Sequence, residues 1–564
     1  MKRLLFFLAV AATNVLLAQI TPAIIKDIQP GNGDGCSTDY HLSELNGKAY
    51  FFAREDGFDP ALFVSNGTSS GTFFFRGFGH STNSDEESFF KFNNMLFWVG
   101  YDSAHYADDV QIFRTDGTNT GTLALKSFFT NSSSAFYNGP HFINNSNTLF
   151  FIASDSSDWH LWRTDGSVSG TYKLFTYPSS AARELYGVVN DKLVFSSQTK
   201  IYASDGTVAG THEIYSPSTF MLPSAGVSMG GNLYFSYDGA LWKTNGTAAG
   251  TTAVTGSFSG NATVVGSKMF YSNDDGVNGS ELWVTDGTVN GTKMVDDINP
   301  GYSSSSPAII GTTANQVIFI ADNGTIGFEL WASDGTNAGT ITLKDICAGG
   351  NYSFIGASAT DEINHIVYFS SDNCEQSQQL YRTDGTPSGT YQVSSLATGA
   401  IGFTKPFVID GMVYYSCVSN AIGQEMFVTN GQPGGTVFYD LNPGSGWSYS
   451  SLFTKVADKI FFNAIGSGTG RELWSVDPPV ISGIGEMENE NNLLDFYPNP
   501  VEHYLKVSLS GQEMENVQIY NMNGQLVLEA RDMDEVYVGS LSSGIYIAEV
   551  ITGNAMIRKR FVKL

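Results

Sequence analysis

Charge is scarce in this chain, and positive charge especially so. Only 15% of the 564 residues are charged, and 55 Asp and Glu outnumber 29 Lys and Arg, for a formal net charge of -26. A chain this acidic is repelled by phosphate backbones and anionic membrane surfaces, which excludes nucleic acid as a partner. Beyond the N-terminus no uninterrupted apolar run is long enough to cross a bilayer, so we predict no transmembrane anchor.

Catalytic signatures are also absent. The sequence contains no H-E-x-x-H pair, phosphate loop or dinucleotide fingerprint, and its eight histidines are scattered. Residues 226–230, Gly-Val-Ser-Met-Gly, match the nucleophile elbow of hydrolases, but they precede a predicted strand and no helix follows. We regard that match as chance, and no catalytic residue is predicted.

The first 19 residues have the composition of an export signal. Lys2 and Arg3 precede an apolar segment at 4–17, and Ala18 supplies a small residue before the expected cleavage point. The apolar segment is too short to span a membrane. We predict a signal peptide at 1–19, with an uncleaved interfacial segment as the alternative.

A repeated motif fills most of the remaining chain. Its clearest copies are ELWVTDGTVNGT at 281–292 and HLWRTDGSVSGT at 160–171, and ten copies recur at intervals of 40 to 50 residues. Each copy follows a strand-like run such as LFFIA at 149–153, and each complete copy precedes another such as ITLKDI at 341–346. No stretch shows helical periodicity. Four short antiparallel strands per unit are the pattern of a propeller blade.

The motif is suited to packing between two sheets. Its second position is always Leu, Ile or Met and its third is always aromatic, and neighbouring strand residues point to opposite faces. Both faces are therefore apolar, and we assign the aromatic series to the core rather than to a ligand. The Asp/Asn-Gly-x-x-x-Gly-Thr segment that follows predicts a hairpin turn in which the Asx side chain binds the backbone two residues on.

These features predict an all-β fold, a β-propeller of about ten four-stranded units over residues 20–476. The copies resemble those of the ELWxxDGT-repeat proteins, large secreted bacterial polypeptides, and the resemblance implies export but no activity. The tenth copy leads into Pro478 and Pro479 rather than a strand, whereas PAIIKDIQPG at 22–31 is such a strand without a preceding motif. A single closed ring completed by that strand is favoured, and two smaller rings are the alternative.

The four cysteines fit no zinc pattern, because no C-x-x-C pair or paired histidine accompanies them. Cys347 and Cys374 follow two strands that we assign to one unit and that end on the same side of it. We predict a disulfide between them, and buried free thiols are the alternative. Cys36 and Cys417 belong to units that a further unit separates, so no bond is predicted there.

An acidic residue recurs just before the motif in a Gly-x-Glu pattern, at Glu281, Glu329, Glu425 and Glu472. In the sixth unit, Glu281 follows Asp274 and Asp275, and carboxylates in a tight turn suit Ca²⁺. These three residues are the calcium candidates, and calcium is the only cofactor considered. The spacing is not that of an EF-hand, and a solvated turn is the favoured interpretation.

The repeat stops after Trp474. Residues 477–492 carry four acids and no Lys or Arg, which is typical of a linker, and 493–564 alternate like a small immunoglobulin-like sandwich. This segment resembles the type A C-terminal sorting domain of the type IX secretion system at Tyr497, Pro498, Asn499, Pro500, Gly524, Gly544, Tyr546 and Lys563. The resemblance implies that the type IX machinery carries the chain through the outer membrane of a Gram-negative bacterium. It also implies that the module is then removed and that the protein is released or attached to the surface. A generic immunoglobulin-like domain is the alternative.

Two functions are compatible with these observations. The favoured one is a secreted or cell-surface binding and adhesion scaffold for a glycan, matrix or protein ligand over one face of the ring. The alternative is a propeller-type glycan hydrolase or lyase with its site in the central funnel. An enzyme should interrupt the repeat with unusual His, Arg, Glu or Tyr residues near the channel, and the sequence shows no such cluster.

Overall fold

The computed structural model consists of strands and turns, with no helix in the part of the chain it describes. It divides at Pro478 into a large N-terminal unit and a small C-terminal unit. The described residues are 21–36, 42–55, 61–80, 89–102, 109–129, 136, 141–155, 158–178, 182–216, 226–258, 261–347, 353, 355–372, 378–394, 400–419, 423–444, 446–478, 494–497, 501–509, 516–521, 526–531, 535–542, 544–551 and 556–563. The predicted signal peptide lies outside them, as does the predicted linker beyond Pro478.

The large unit begins with strand β1 (Ala23–Lys26), which is followed by antiparallel sheets formed in chain order. Sheet 1 contains β2 (Ser43–Leu45), β3 (Lys48–Ala53), β4 (Ala61–Ser65) and β5 (Phe73–Arg76). Sheet 2 contains β6 (Phe78–His80), β7 (Phe90–Phe92), β8 (Met95–Asp102), β9 (Asp109–Thr115) and β10 (Leu123–Phe129). Sheet 3 contains β11 (Ile143–Asn144), β12 (Leu149–Ser154), β13 (Trp159–Thr164) and β14 (Tyr172–Thr176). Sheet 4 contains β15 (Arg183–Val189), β16 (Lys192–Ser197), β17 (Lys200–Ser204) and β18 (His212–Tyr215). Sheet 5 contains β19 (Val227–Met229), β20 (Asn232–Tyr237), β21 (Ala240–Thr244) and β22 (Thr252–Ser257).

The second half of the unit continues the same pattern. Sheet 6 contains β23 (Ala262–Val265), β24 (Lys268–Asp274), β25 (Ser280–Thr285) and β26 (Lys293–Met294). Sheet 7 contains β27 (Ala308–Thr312), β28 (Val317–Asp322), β29 (Phe328–Ser333) and β30 (Ile341–Lys344). Sheet 8 contains β31 (Ile355–Asp361), β32 (Ile366–Asp372), β33 (Gln378–Thr383) and β34 (Tyr391–Gln392). Sheet 9 contains β35 (Ala400–Phe403), β36 (Phe407–Ile409), β37 (Met412–Ser419), β38 (Gly423–Thr429) and β39 (Thr436–Tyr439). Sheet 10 contains β40 (Ser451–Val456), β41 (Lys459–Ile465) and β42 (Arg471–Val476), with β1 as its outer strand.

The motif packs between neighbouring sheets as the sequence predicts. Its second-position side chain is completely buried in every copy. In sheet 3, Leu161 belongs to the apolar cluster that includes Phe195 of sheet 4, whereas Trp162 belongs to the cluster that includes Phe97 of sheet 2. Adjacent residues of one strand therefore pack against the sheets on either side.

The outer strand of sheet 10 comes from the other end of the chain. Strand β1 pairs antiparallel with β42, and Ile24 lies opposite Trp474. One apolar cluster combines Ile25 and Phe51 with Phe461 and Leu473, so sheet 10 packs against sheet 1.

The turns of each meander fall on two edges. One edge, the motif-turn edge, carries the turns between first and second strands and the motif turns, which span seven residues in sheets 1 to 8 and six in sheet 9. The other, the variable-loop edge, carries the connections between second and third strands, which span two to seven residues, and the links to the next sheet.

The motif turns of sheets 1 to 8 share one set of hydrogen bonds. In sheet 6, Asp286 Oδ1 accepts bonds from the backbone N–H of Thr288 at 2.9 Å and from its hydroxyl at 2.7 Å. Gly287 has a φ of 85°, which favours glycine. Thr285 and Thr292 join their hydroxyl groups at 2.7 Å across the base of the turn. The motif turn is thus a local device that stabilises each hairpin.

The small unit is also formed by antiparallel strands. These are β43 (Leu494–Tyr497), β44 (Tyr504–Leu509), β45 (Asn516–Asn521), β46 (Leu526–Arg531), β47 (Glu535–Tyr537), β48 (Gly544–Ile551) and β49 (Met556–Lys563). One sheet has the order β43-β44-β47 and the other β46-β45-β48-β49. Both contribute to one core, in which Leu505 and Val536 of the first sheet join Ile519 and Phe561 of the second.

Candidate functional site

Buried glutamates organise the variable-loop edge. They stand near the start of the third strand in four sheets and have no solvent-exposed surface: Glu281, Glu329, Glu425 and Glu472. The interpretation of these residues as parts of solvated turns is therefore wrong. Sequence spacing alone does not show the burial, because the groups that cover each carboxylate come from a different loop.

Glu472 holds the N-terminal segment against sheet 10. Its Oε2 accepts a hydrogen bond from the backbone N–H of Ile28 at 2.9 Å, and its Oε1 accepts one from Gly35 at 2.9 Å. A Cβ at Gly35 would overlap the carboxylate, so only glycine allows this approach. The glutamate thereby fixes both ends of the loop that follows β1.

Glu281 does the same for the link between sheets 6 and 7. It accepts bonds from the backbone N–H of Ile298 at 3.1 Å and from the backbone N–H and hydroxyl of Ser305 at 2.9 and 2.6 Å. The chain leaves the sheet early to reach this carboxylate, so β26 is only Lys293–Met294 rather than the longer strand that the sequence predicts. Equivalent bonds reach Glu329 from Ile346 and Ser353, and Glu425 from Leu441.

Burial makes these carboxylates weak acids. It raises the pKa of Glu281 and Glu329, although hydrogen bonds from the loop oppose the shift. For Glu425 and for Glu472, burial raises the pKa to about 7. At neutral pH, the anchors of two loops are thus close to their midpoint of ionisation.

His160 occupies the glutamate position of the motif in sheet 3. The buried imidazole lies 2.7 Å from Asp155 through Nε2 and 3.0 Å from the Thr176 hydroxyl through Nδ1. Asp155 also pairs with Lys173, whose ammonium group lies 5.5 Å from the ring centre of Trp162. The sequence motifs did not predict this charged cluster; its only signal was a histidine at the motif position where four other copies carry glutamate.

The calcium candidates lie in the hairpin between β24 and β25. Asp274 accepts a bond from the backbone N–H of Gly276 at 2.7 Å, and Asp275 accepts bonds from Val277 and Asn278. These bonds from Asn278 and Val277 lower the pKa of Asp275. The carboxylate of Glu281 is occupied by hydrogen bonds from the link between sheets 6 and 7, as described above. The described ranges contain no group of three or more His, Cys, Asp or Glu side chains suited to a metal ion. The calcium site stays a prediction.

Cys347 is disulfide-bonded, whereas Cys36 and Cys417 are buried free thiols. The predicted partner, Cys374, lies outside the described residues, so the pairing stays a prediction. The predicted layout of the strands differs from the structure. Cys347 follows β30 of sheet 7, and Cys374 follows β32 of sheet 8. A bond between them would link neighbouring sheets, because Cys347 follows the last strand of sheet 7 and Cys374 follows the second strand of sheet 8.

Four of the eight sorting-motif residues lie in the described part of the small unit, three of them in its second sheet. Gly544 of β48 pairs with Lys563 of β49, and Lys563 also forms a parallel bridge to Val501. Tyr546 is buried, donates its hydroxyl to the Ser542 carbonyl at 2.9 Å and stacks on Phe561 at 5.8 Å. Tyr497 ends β43. Pro498, Asn499, Pro500 and Gly524 lie outside the described residues.

Comparison with known proteins adds one specific match. The family model described as the secretion system C-terminal sorting domain matches residues 495–564. Among the curated proteins nothing matches the chain. No helix in the described ranges is long and apolar enough to cross a membrane.

Solved structures show only distant similarity. The extracellular domain of a hybrid two-component system from B. thetaiotaomicron is 10% identical, with 94% of this chain and 87% of that chain covered and a TM-score of 0.26. BamB from Moraxella catarrhalis is 11% identical over 60% of this chain and 96% of its own, with a TM-score of 0.28. A prolyl endopeptidase is 12% identical over 83% of this chain and 54% of its own, with a TM-score of 0.31.

Proposed function

We propose that the chain is a binding and adhesion scaffold outside the cell. The C-terminal sorting domain of the type IX secretion system at residues 495–564 supports the location, and the repeated sheets with their variable loops are the basis for the binding role. That domain makes the protein a secreted or outer-membrane-surface protein of a Gram-negative bacterium of the Bacteroidetes type. The type IX secretion machinery is its partner during export. The ligand of the scaffold is a glycan, a matrix component or a protein.

The scaffold in this proposal is one closed ring of ten four-stranded units over residues 20–476. The cluster shared by sheets 1 and 10 supports closure between the ends of the chain. Two rings of five units would require a break after sheet 5, yet Tyr234 of sheet 5 and Tyr271 of sheet 6 belong to one buried cluster. This continuity favours the single ring.

The ligand face in this proposal is the variable-loop edge. The motif-turn edge repeats nearly the same turn from sheet to sheet, which serves the fold and offers no distinctive surface. Loops of different length and composition can form a specific site, and the buried glutamates hold several of them in place. A pre-organised loop loses little entropy on binding.

The charged cluster in sheet 3 does not favour the alternative of a glycan hydrolase or lyase. A general acid or base needs a nitrogen or oxygen that can reach the substrate. Both ring nitrogens of His160 are engaged by Asp155 and Thr176, and the side chain is buried. We therefore assign His160 to the structure of the loop edge.

The small unit is proposed to be an immunoglobulin-like sandwich that is removed after export, and residues 1–19 the signal peptide removed before it. A chain truncated from Asn491 tests the export step. It should remain in the periplasm, whereas the full chain reaches the medium or the cell surface, as shown by immunoblotting of cell fractions. A Glu362→Gln chain, altered only at an exposed turn, is the control for expression. Normal secretion of the truncated chain would contradict the sorting assignment.

The binding step is tested with the exported protein on glycan and protein arrays. The proposal expects saturable binding of at least one ligand class by the wild-type protein. An exported protein that binds nothing on either array, or that degrades a glycan, would contradict the scaffold function.

A further inference from the structure

The link between sheets 9 and 10 exposes two large aromatic rings side by side. Trp447 and Tyr449 are each 41% exposed, their ring centres are 5.3 Å apart and their planes meet at 52°. All eight tryptophans lie in the described ranges, and only Trp447 is exposed. Both residues belong to the variable-loop edge.

The same loop occurs between sheets 6 and 7, where the two equivalent positions carry no aromatic ring. The carbonyls of Ser305 and Ser448 accept bonds from the backbone N–H of the last residues of β28 and β41, at 3.0 and 2.7 Å. Asn299 donates its amide to the carbonyl of Ser304 at 3.3 Å, and Asn442 donates its amide to that of Trp447 at 3.3 Å. Trp447 is therefore equivalent to Ser304, and Tyr449 is equivalent to Ser306. The fold does not require an aromatic side chain at either position.

Tyr449 has an unfavourable backbone conformation. Its φ is 48°, the same value as that of Ser306, and bulky residues rarely adopt this left-handed region. The exposed ring recovers little of this cost through burial. Strained residues that the fold does not need are concentrated at functional sites.

Neighbouring groups hold the two rings in place. Arg471 donates from Nη1 to the Tyr449 carbonyl at 2.9 Å, and its guanidinium lies 5.5 Å from the Tyr449 ring centre. Trp447 lies against the backbone of Gly423, where a Cβ would come within 3.0 Å of the indole Cδ1. The pair is therefore an ordered surface.

We propose that Trp447 and Tyr449 form a stacking platform for a neutral glycan. The proposal rests on the scaffold function above and names its ligand class and place. Aromatic rings offer rigid apolar faces to the C–H groups of sugar rings, together with polar edges for hydroxyl groups. The net charge of -26 disfavours an anionic glycan. Two rings cover far less than the roughly 800 Å² that each partner buries in a stable protein complex, which disfavours a protein ligand.

Fluorescence titration of the full chain tests the platform, because Trp447 is the one exposed tryptophan. The probes are cellohexaose, xylohexaose, mannohexaose and laminarihexaose, with a hyaluronan hexasaccharide as the anionic comparison. We expect at least one neutral probe to change the emission saturably and the anionic one to leave it unchanged. Failure of all four neutral probes, or binding of the anionic probe alone, overturns the proposal.

Trp447→Ser and Tyr449→Ser introduce the residue that the link between sheets 6 and 7 has at the equivalent positions, Ser304 and Ser306, so both variants should fold. Isothermal titration should show a loss of affinity of at least tenfold for each and no measurable binding for the double variant. Tyr302→Ser is the control, because Tyr302 is 86% exposed in the equivalent loop. It should bind like the wild type.

Equal glycan affinity in the double variant would overturn the platform while leaving the scaffold function intact. Loss of a protein ligand but not of a glycan in that variant would assign the surface to a protein and overturn the glycan proposal. An exported protein without any ligand on the arrays would instead contradict the scaffold function itself.

Discussion

The buried carboxylate of Glu472 should make the attachment of β1 and the loop after it to sheet 10 depend on pH. In the opened state this segment is detached and the carboxylate is exposed to water. Burial raises its pKa from an ordinary value of 4.5 to about 7. The folded state then holds a proton more tightly than the opened state does. The stability that this proton supplies is complete below pH 4.5 and is lost as the pH rises through 7. The shift corresponds to at most about 3 kcal/mol, or roughly a 300-fold change in the equilibrium between the paired and the detached β1 segment.

The Glu472→Gln variant distinguishes the effect of ionisation from that of side-chain shape, because glutamine has nearly the same shape as glutamate but carries no charge. The amide is neutral at every pH, so this contribution to the pH dependence should disappear. Its oxygen can accept one of the bonds from Ile28 and Gly35, but its NH₂ group opposes the other N–H. We expect the variant to be less stable than the wild type by about 1–2 kcal/mol at pH 5. The difference should shrink or reverse at pH 8, where the wild type carries a buried charge.

Hydrogen exchange at the amides of Ile28 and Gly35 measures this opening directly. After correction for the intrinsic exchange rate, wild-type protection should fall between pH 5 and pH 8, and that of the variant should stay nearly constant. Glu362→Gln is the matched control, because Glu362 is exposed and the change removes the same charge. Wild-type protection that rises with pH, or an equal fall in Glu472→Gln, would refute the reasoning.

Three further perturbations test the repeat. Gly291→Ala places a Cβ against Asp286 Oδ1 and should lower the free energy of unfolding in urea by about 1–3 kcal/mol. The loss should be much smaller in an Asp286→Ala background, and equal losses in both backgrounds would contradict the contact. Deleting residues 20–31 removes β1 and should accelerate hydrogen exchange across 458–475, since β42 loses its paired neighbour; unchanged exchange there would rule out closure by β1. Reduction of the Cys347 disulfide should lower the melting temperature, by an amount that corresponds to about 3 kcal/mol. Non-reducing peptide mapping should then recover Cys347 with Cys374, and a Cys36–Cys417 peptide would contradict the assignment.

The C-terminal module shows which properties sequence motifs predict and which they do not. The motif residues around Tyr546 predict a sorting domain, and the family model matches the same segment. They predict nothing about the packing of the module. The stacking of Tyr546 on Phe561 and the pairing of Gly544 with Lys563 depend on the order of strands in the sheet.

The sequence by itself determines what is local in this protein. Strand positions follow from the apolar alternation of the motif, and the motif turn follows from Asp286 and Thr288, two residues apart, whose bond any copy can form without help from the rest of the chain. Burial of the second motif position follows from the same period, since a strand between two sheets has no solvent-facing side.

Only the tertiary structure decides which distant groups meet. The donors that bind Glu472 at Ile28 and Gly35 stand more than 430 residues away, so the sequence could not distinguish a buried anchor from a solvated turn. The exposure of Trp447 and Tyr449 likewise depends on the path of a loop, whereas most aromatic residues of the repeat are buried. The periodicity of apolar residues shows which faces of a strand are buried. Burial of a loop residue depends instead on the elements that fold over it, which come from distant parts of the chain.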